Sequence, residues 1–286
     1  MAPARLLQEI VPPTIVKAHA LGNDFLLLPE AALEPGSDRA AFARQVCSRH
    51  RGLGGDGLML FAPLDNGTAA SVAVRMSLLN ADGSYSELSG NGVRCLAAWL
   101  ASEHRLQAGA TIDVQSDAGV KRLELLEVRE GRFTFRAHMG SPERIAQARI
   151  DVAGVEVDAV TLRVGNPQCV VLGEVSLARL HTVAAVLAVH PHFPAGTNVE
   201  LAAVEAPDHV RILIWERGVG PTAASGTGAC AAAVAAMSFG GAERDVRVQS
   251  PGGTQRVEWR EDGLYLTGWA QVTAVCDWRG GERVGT

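Results

Sequence analysis

Two short stretches hold the residue types from which a binding site for a small anion is built. "SGNGVRC" fills residues 89–95 and "SGTGACAAAVAA" fills 225–236, each a serine and two spaced glycines ahead of an apolar run of helical period. The start of a helix leaves backbone N–H groups unpaired and carries partial positive charge, so it attracts anions. Gly90 and Gly92, and again Gly226 and Gly228, let a ligand approach that backbone closely. Two such ends facing one another across a cleft would hold a single carboxylate, with Ser89 and Ser225 reaching it from opposite sides. Taken alone, either serine reads as an ordinary N-cap; the recurrence of the arrangement points to a shared site. A nucleotide site does not fit the spacing, because no lysine follows as in a P-loop and neither loop runs G-x-G-x-x-G, so phosphate is not the first expectation.

The elements that must position these loops can be read from periodicity. Segments 14–20, 71–79, 132–138 and 209–215 alternate or run with β-branched and aromatic residues between Gly-, Asn- and Asp-rich turns, the pattern of strands. Helical spacing appears in 37–50, capped by Ser37 or Asp38, and in 90–104, 176–190 and 226–239. In the second of these, Val93, Leu96, Ala97 and Leu100 make the i, i+3, i+4, i+7 stripe of a helix with one buried face. "ALGNDFLLL" at 20–28 has a partner in "RVGNPQCVVL" at 163–172, so a Gly-Asn turn followed later by S-G-x-G occurs twice in the same order. A glycine cluster at 49–57, beginning at Arg49, belongs to the first copy only. The chain therefore reads as two homologous halves with a boundary near 136–150, where "MGSPERIAQARI" reads as a linker.

Composition bounds the function. With 286 residues, 47% of them hydrophobic and 20% charged, the chain can bury a sizeable core, and a net charge of −5 without a basic patch argues against a nucleic-acid partner. No apolar run approaches the ~18 residues of a membrane span. The start is broken by Glu9 and Pro12-Pro13 before it takes signal-peptide form, so the cytoplasm is the expected location. Only Lys17 and Lys121 are available for Schiff-base chemistry. Cys47, Cys95, Cys169, Cys230 and Cys276 are scattered without a C-x-x-C, which gives neither a disulfide framework nor a metal site; buried inert thiols are expected at all five.

Six separated motifs, "ALGNDF" (20–25), "NADGS" (80–84), "GNGVRC" (90–95), "GNP" (165–167), "ERGVG" (216–220) and "GTGAC" (226–230), together resemble the diaminopimelate epimerase family. The resemblance implies an α/β (α+β) fold of two similar halves, each a β-barrel-like sheet around a central helix, with the site in the cleft between them. The N-terminal half would span 14–136, completed by a strand near 273–282, and the C-terminal half 137–272. The implied activity is cofactor-independent interconversion of L,L- and meso-diaminopimelate, a step toward lysine and peptidoglycan precursors, by removal and return of the α-proton. A homodimer is implied too. Residue by residue, the resemblance assigns substrate contacts to Asn23, Asn80, Gly90, Asn91, Asn166, Asn198, Glu216, Arg217, Gly226 and Thr227. Asparagine offers paired donors and acceptors, and Arg217 can grip a carboxylate bidentately, in keeping with that assignment.

The family pattern places cysteine before each G-x-G, one thiolate to take the α-proton and one thiol to supply the opposite face. Ser89 and Ser225 hold those positions here. A helix start can bring a thiol pKa from about 8.5 to about 3.5, whereas a hydroxyl starts far higher, in the region of water itself. The same shift leaves serine a poor unaided base. Cys95 and Cys230 lie farther along the helices and are expected to be buried; Glu216 is the candidate assisting group, with Glu87 expected to face solvent. Pro221 stands where an acidic residue is common, and Gln168 where histidine follows Asn-Pro. Three readings follow: an epimerase whose hydroxyls are assisted, a related isomerase or dehydratase of another small carboxylate, and a noncatalytic small-molecule binder.

Overall fold

The computed structural model describes residues 13–64, 71–87, 89–117 and 119–280. The extreme N-terminus read for a signal peptide, and the last two residues of the strand expected at 273–282, lie outside them. Each half of the chain wraps a sheet around one helix. The first ring runs through β1 (Thr14–Ala20), β2 (Asn23–Pro29), β3 (Gly57–Pro63), β4 (Ser71–Asn80), β6 (Thr111–Ser116), β7 (Gly119–Arg129), β8 (Arg132–Gly140) and β17 (Gly263–Asp277). The end of β17 pairs back onto β1, from Gln271 with His19 to Asp277 with Thr14, and closes the ring. A short strand, β5 (Tyr85–Ser86), hangs on the end of β4.

The second ring repeats this order with β10 (Val155–Val164), β11 (Asn166–Leu172), β12 (Asn198–Ala206), β13 (His209–Glu216), β15 (Asp245–Ser250) and β16 (Gly253–Arg260), with β14 (Gly220–Thr222) in the role of β5. It returns to β10 by way of β17, β8 and the strand β9 (Glu143–Val152) that continues from β8. β17 therefore serves both rings: its start pairs with β16, its middle with β8 and its end with β1. The parallel pairs also recur, β2 with β3 and β11 with β12, then β4 with β6 and β13 with β15.

Along the axis of the first ring lies α2 (Gly90–Glu103), and along the second lies α5 (Gly226–Phe239). The stripe Val93, Leu96, Ala97 and Leu100 is buried as its spacing predicts, but Cys95, Ala98 and Ala101 are buried as well, because the ring surrounds the helix instead of touching one face. In α5 every residue from Gly228 to Ala236 is buried, and small alanines let strands on all sides approach the axis. A second layer covers the outer face of each ring. In β2, Phe25 and Leu27 pack toward α2, while Leu26 and Leu28 pack toward α1 (Arg39–Val46), which explains why "NDFLLL" runs apolar without alternation. The outer face of β11 and β12 is covered by α3 (Leu177–Arg179), a π-helical turn (Leu180–Ala184) and α4 (Ala185–Ala188).

Several expectations change. The segment read as a linker is strand: β8 runs to Gly140 and β9 starts at Glu143, with left-handed residues Gly140 (φ 81°) and Arg144 (φ 55°) turning the chain around Pro142. Its exposed, weakly alternating side chains hid a strand whose order comes from pairing with β10. The single helix expected over 176–190 is broken by the π turn and ends at Ala188. The helix expected over 37–50 stops at Val46, with Asp38 and not Ser37 as its cap, accepting the Ala41 N–H at 2.9 Å. Cys47, Cys95, Cys169 and Cys230 are buried, but Cys276 is only half-buried, because it sits near the end of β17 where the ring opens to solvent.

Truncating Leu96, fully enclosed within the first ring, should cost about 2–5 kcal/mol in Leu96→Ala, as buried leucine deletions do. Leu177→Ala, at a side chain 67% exposed, should change stability by less than about 0.5 kcal/mol. Urea unfolding of both variants checks the pair.

Candidate active site

The two helix starts are built alike. Ser89 caps α2 with its Oγ accepting the Gly92 N–H at 3.1 Å, and Ser225 caps α5 with its Oγ accepting the Gly228 N–H at 3.2 Å. Both serines have extended backbone, as an N-cap requires. Each hydroxyl keeps its own proton free to donate. Gly90 faces open space, since a Cβ there would meet nothing within 4 Å. Gly92 and Gly228 are glycines for a different reason: a Cβ would lie 2.6 Å from Met59 Cε in the first case and 2.6 Å from Glu200 Oε1 in the second.

The helix starts come together at the junction of the rings. Asn91 Nδ2 donates to the carbonyl of Ala224, the residue before the α5 cap, at 3.3 Å and to Asn23 Oδ1 at 3.1 Å. Arg94, one turn along α2, donates to Asn91 Oδ1. With its amide turned so that both ends are satisfied, Gln255 accepts from Arg94 Nη1 and Nη2 at 2.9 and 2.7 Å and donates to the Ser225 carbonyl at 3.2 Å. A continuous set of hydrogen bonds thus runs from the tip of one helix to the cap of the other.

On the α2 side the Gly-Asn turn is held by an ionic cluster. Leu21 (φ 55°) and Gly22 (φ 86°) are both left-handed, so the turn delivers Asn23 at the first position of β2. Asn23 Nδ2 donates to Asp56 Oδ2 at 2.6 Å, and Arg49 bridges Asp56 at 2.7 Å and Asp24 at 2.8 Å. Lys17 adds a bond to Asp24 at 3.1 Å. Burial works to raise the Asp24 carboxyl, but the Arg49 and Lys17 hydrogen bonds outweigh it and hold that group below the usual carboxylate range. Asn80 is exposed at the end of β4, where its amide donates to Ser84 Oγ at 3.0 Å, and Glu87 faces solvent.

The α5 side carries one half-buried and one buried carboxyl. Glu216, at the end of β13, accepts the Thr222 hydroxyl at 3.0 Å. Burial raises its carboxyl, the Thr222 bond opposes that, and the charge of Asp56 from the other half raises it further. Asn198 fixes the next residue by accepting the Arg217 N–H at 2.9 Å. The Arg217 side chain is exposed and donates to the Ala195 carbonyl at 2.8 Å. Glu200 is fully buried: a Cβ on Gly228 would have both Glu200 Oε1 and Ser225 Oγ within 3.2 Å. Gln168, in its satisfied orientation, donates to Glu200 at 3.1 and 3.3 Å and accepts from Thr227 Oγ1 at 3.2 Å, with the Asn166 amide 2.6 Å away. Burial first and the charge of Glu216 second push the Glu200 carboxyl well above its ordinary value of 4.5.

Of the residues singled out from sequence, Asn23, Asn91, Asn166, Asn198, Glu216, Arg217, Thr227, the serine caps and their glycines thus lie on the two helix starts or the turns beside them. Asn80 stands at the rim. Cys95 and Cys230 are enclosed, and burial keeps both protonated, the second pushed up to about 12. Sequence reasoning missed Arg94, Gln255 and Glu200. Glu200 had a signal, an acid within the apolar run "NVELAA". Its register partner Val170 matches Leu27 of the first half, whose partner is Met59, so the halves differ at this point by one ionisable group.

A family model described as diaminopimelate epimerase matches residues 15–145 and 160–273. The diaminopimelate epimerase of Desulforudis audaxviator is 40% identical over 279 residues, covering 92% of this chain and 98% of the relative. That of Heliobacterium modesticaldum is 39% identical over 275 residues, covering 88% and 95%. Among solved structures, a predicted epimerase from Pseudomonas aeruginosa superposes with a TM-score of 0.70 at 16% identity, covering 94% of this chain and 100% of that one. A hydroxyproline epimerase from Agrobacterium vitis with bound trans-4-hydroxy-L-proline gives 0.65 at 16% identity, covering 94% and 92%. These two show a shared fold.

The Glu200 carboxyl sets a pH dependence. Because its folded value lies well above 4.5, the native state keeps a proton that the unfolded chain releases, and the associated stability is lost as pH rises from 4.5 toward the folded value. Glu200→Gln retains the neutral shape without the titration. As pH rises above about 5 the wild type should lose stability relative to this variant, as read by denaturant unfolding at each pH.

Proposed function

Because the chain belongs to the diaminopimelate epimerase family, we propose that it binds diaminopimelate between the two helix starts and exchanges the proton on its α-carbon. The observation that carries this is the meeting of two serine-capped helix N-termini, joined through Asn91 and Gln255, at one junction. In this reading the halves are 14–136, completed by the end of β17, and 137–272. The unpaired N–H groups of Gly90, Asn91, Gly226 and Thr227 receive the α-carboxylate. Arg217, which pairs with no carboxylate among the described residues, and the asparagines at 23, 80, 166 and 198 hold the remainder. Cytoplasmic location and homodimer formation are proposed on the family resemblance alone, and no cofactor is required.

The proton step needs one group that accepts and one that donates. Breaking the α-C–H bond leaves its electron pair in the carboxylate as an enediolate; return of a proton to the opposite face inverts the centre. Ser89 and Ser225 front the two faces, and as unaided hydroxyls neither holds a useful negative charge near neutral pH. Glu216 supplies the ionisable group in this proposal. Its raised carboxyl is matched to proton exchange near neutrality better than an ordinary glutamate would be. The paired serines also favour a second reading, in which a hydroxyl orients a leaving group while another small carboxylate is isomerised or dehydrated.

Incubation with L,L-diaminopimelate in deuterated water, followed by NMR, should show loss of the α-proton signal and appearance of the meso isomer. Exchange or product with a different carboxylate alone would establish the second reading; a thermal shift without turnover would make the protein a binder. Ser89→Cys combined with Ser225→Cys should raise epimerisation by about 10²-fold, the low end of what general acid–base groups contribute. Glu216→Gln in the serine background should abolish exchange while leaving the thermal shift by diaminopimelate in place.

A further inference from the structure

Arg94 is a buried cation without an acid. Its side chain is 3% exposed and lies on α2 just behind the helix tip. Among the described residues no carboxylate pairs with it: its nitrogens reach only the neutral oxygens of Asn91 and Gln255, and its Nε has no partner. The ionisable neighbours are the thiols of Cys95 and Cys230, which burial keeps protonated. Desolvation lowers the guanidinium to about 10, so it stays charged at neutral pH. Space for it is built in from the shared strand, because a Cβ on Gly268 would lie 2.7 Å from Arg94 Nη1.

Placing an isolated charge in a protein interior is costly even after relaxation. Its two neutral acceptors do not cancel that charge; they do fix the polarity of both amides. With its oxygen held by Arg94, Asn91 must present its NH2 to Ala224 and Asn23, and Gln255 must present its NH2 to the Ser225 carbonyl. One guanidinium therefore sets the position of the α2 tip relative to the α5 cap and leaves a net positive charge behind them.

We infer that Arg94 is a positioning residue of the proposed carboxylate site: it locks the two helix starts together and supplies the countercharge for the bound α-carboxylate and for the second negative charge that develops as the α-proton leaves. The inference rests on the reading of the cleft as a carboxylate site. Because the second charge exists only after proton loss, Arg94 acts more on the transition state than on the ground state.

The test compares wild type, Arg94→Lys and Arg94→Met in α-proton exchange of diaminopimelate, with thermal shifts by diaminopimelate and by glutarate, a bare dicarboxylate. Arg94→Met should lower kcat for exchange by about 10²-fold, the loss seen for one oxyanion donor, with a smaller change in KM. Arg94→Lys should recover at least half of that loss on a logarithmic scale, because the charge returns even though both amides cannot be held. Glutarate should stabilise the wild type and Arg94→Lys more than Arg94→Met. Equal kcat in wild type and Arg94→Met, or failure of lysine to recover what methionine loses, overturns the inference while leaving the proposed function standing. A wild type inert to diaminopimelate refutes that function instead. The glutarate arm then decides Arg94 by itself: equal shifts in all three proteins, or none, reject it. Should Arg94→Met not fold, the kcat of Arg94→Lys at unchanged thermal midpoint decides, an unaltered value supporting a charge role and a loss of more than about tenfold rejecting it.

Discussion

Bringing two helix N-termini to one place is electrostatically awkward. Each carries unpaired N–H groups and roughly half a positive charge, and here a full guanidinium stands behind them that no carboxylate among the described residues pairs with. The junction is held by neutral amides that each face two ways, Asn91 and Gln255, which convert positive charge on one side into donors for backbone carbonyls on the other. What remains at the meeting point of the two closed sheets is one guanidinium that pairs with no carboxylate among the described residues. The proposed anion site rests on that charge and on the two helix starts.

The fold supplies the rigidity this requires. A helix enclosed by strands on all sides cannot tilt without disturbing the whole ring. The strands that close the two rings are in part the same strands, since β17 pairs with β16, β8 and β1 along its length. Movement of one helix start relative to the other would break pairings in a strand that both halves need.

Twofold likeness stops at the chemistry. Met59 in the first half occupies the register position of Glu200 in the second, and the ionic cluster of Lys17, Asp24, Arg49 and Asp56 has no counterpart around the second Gly-Asn turn among the described residues. The acidic groups with raised carboxyls, Glu200 and Glu216, both belong to the α5 side. Serine at both caps accentuates the imbalance. A hydroxyl oxygen accepts a backbone N–H better than a thiol sulfur does, so the caps gain as hydrogen-bond acceptors what they lose in acidity. In the proposed function the proton step then depends on Glu216, which lies on one side.

Local chemistry was legible in the sequence. Serine before glycine fixed both caps, the apolar stripe fixed the core of α2, and the Gly-Asn repeat announced two halves, because capping, helical period and turn conformation depend on residues a few positions apart. The strand β9 was not legible: its side chains are mostly exposed, and only pairing with β10 gives it order. Nor could sequence tell that β17 closes both rings, that the helix read over 176–190 is broken, or that Cys276 is half-buried. The roles of Arg94 and Glu200 belong to the same class. Whether an arginine is paired or a glutamate charged depends on what the folded chain brings within hydrogen-bond reach and how much water it removes, and those neighbours come from strands that lie far away in sequence.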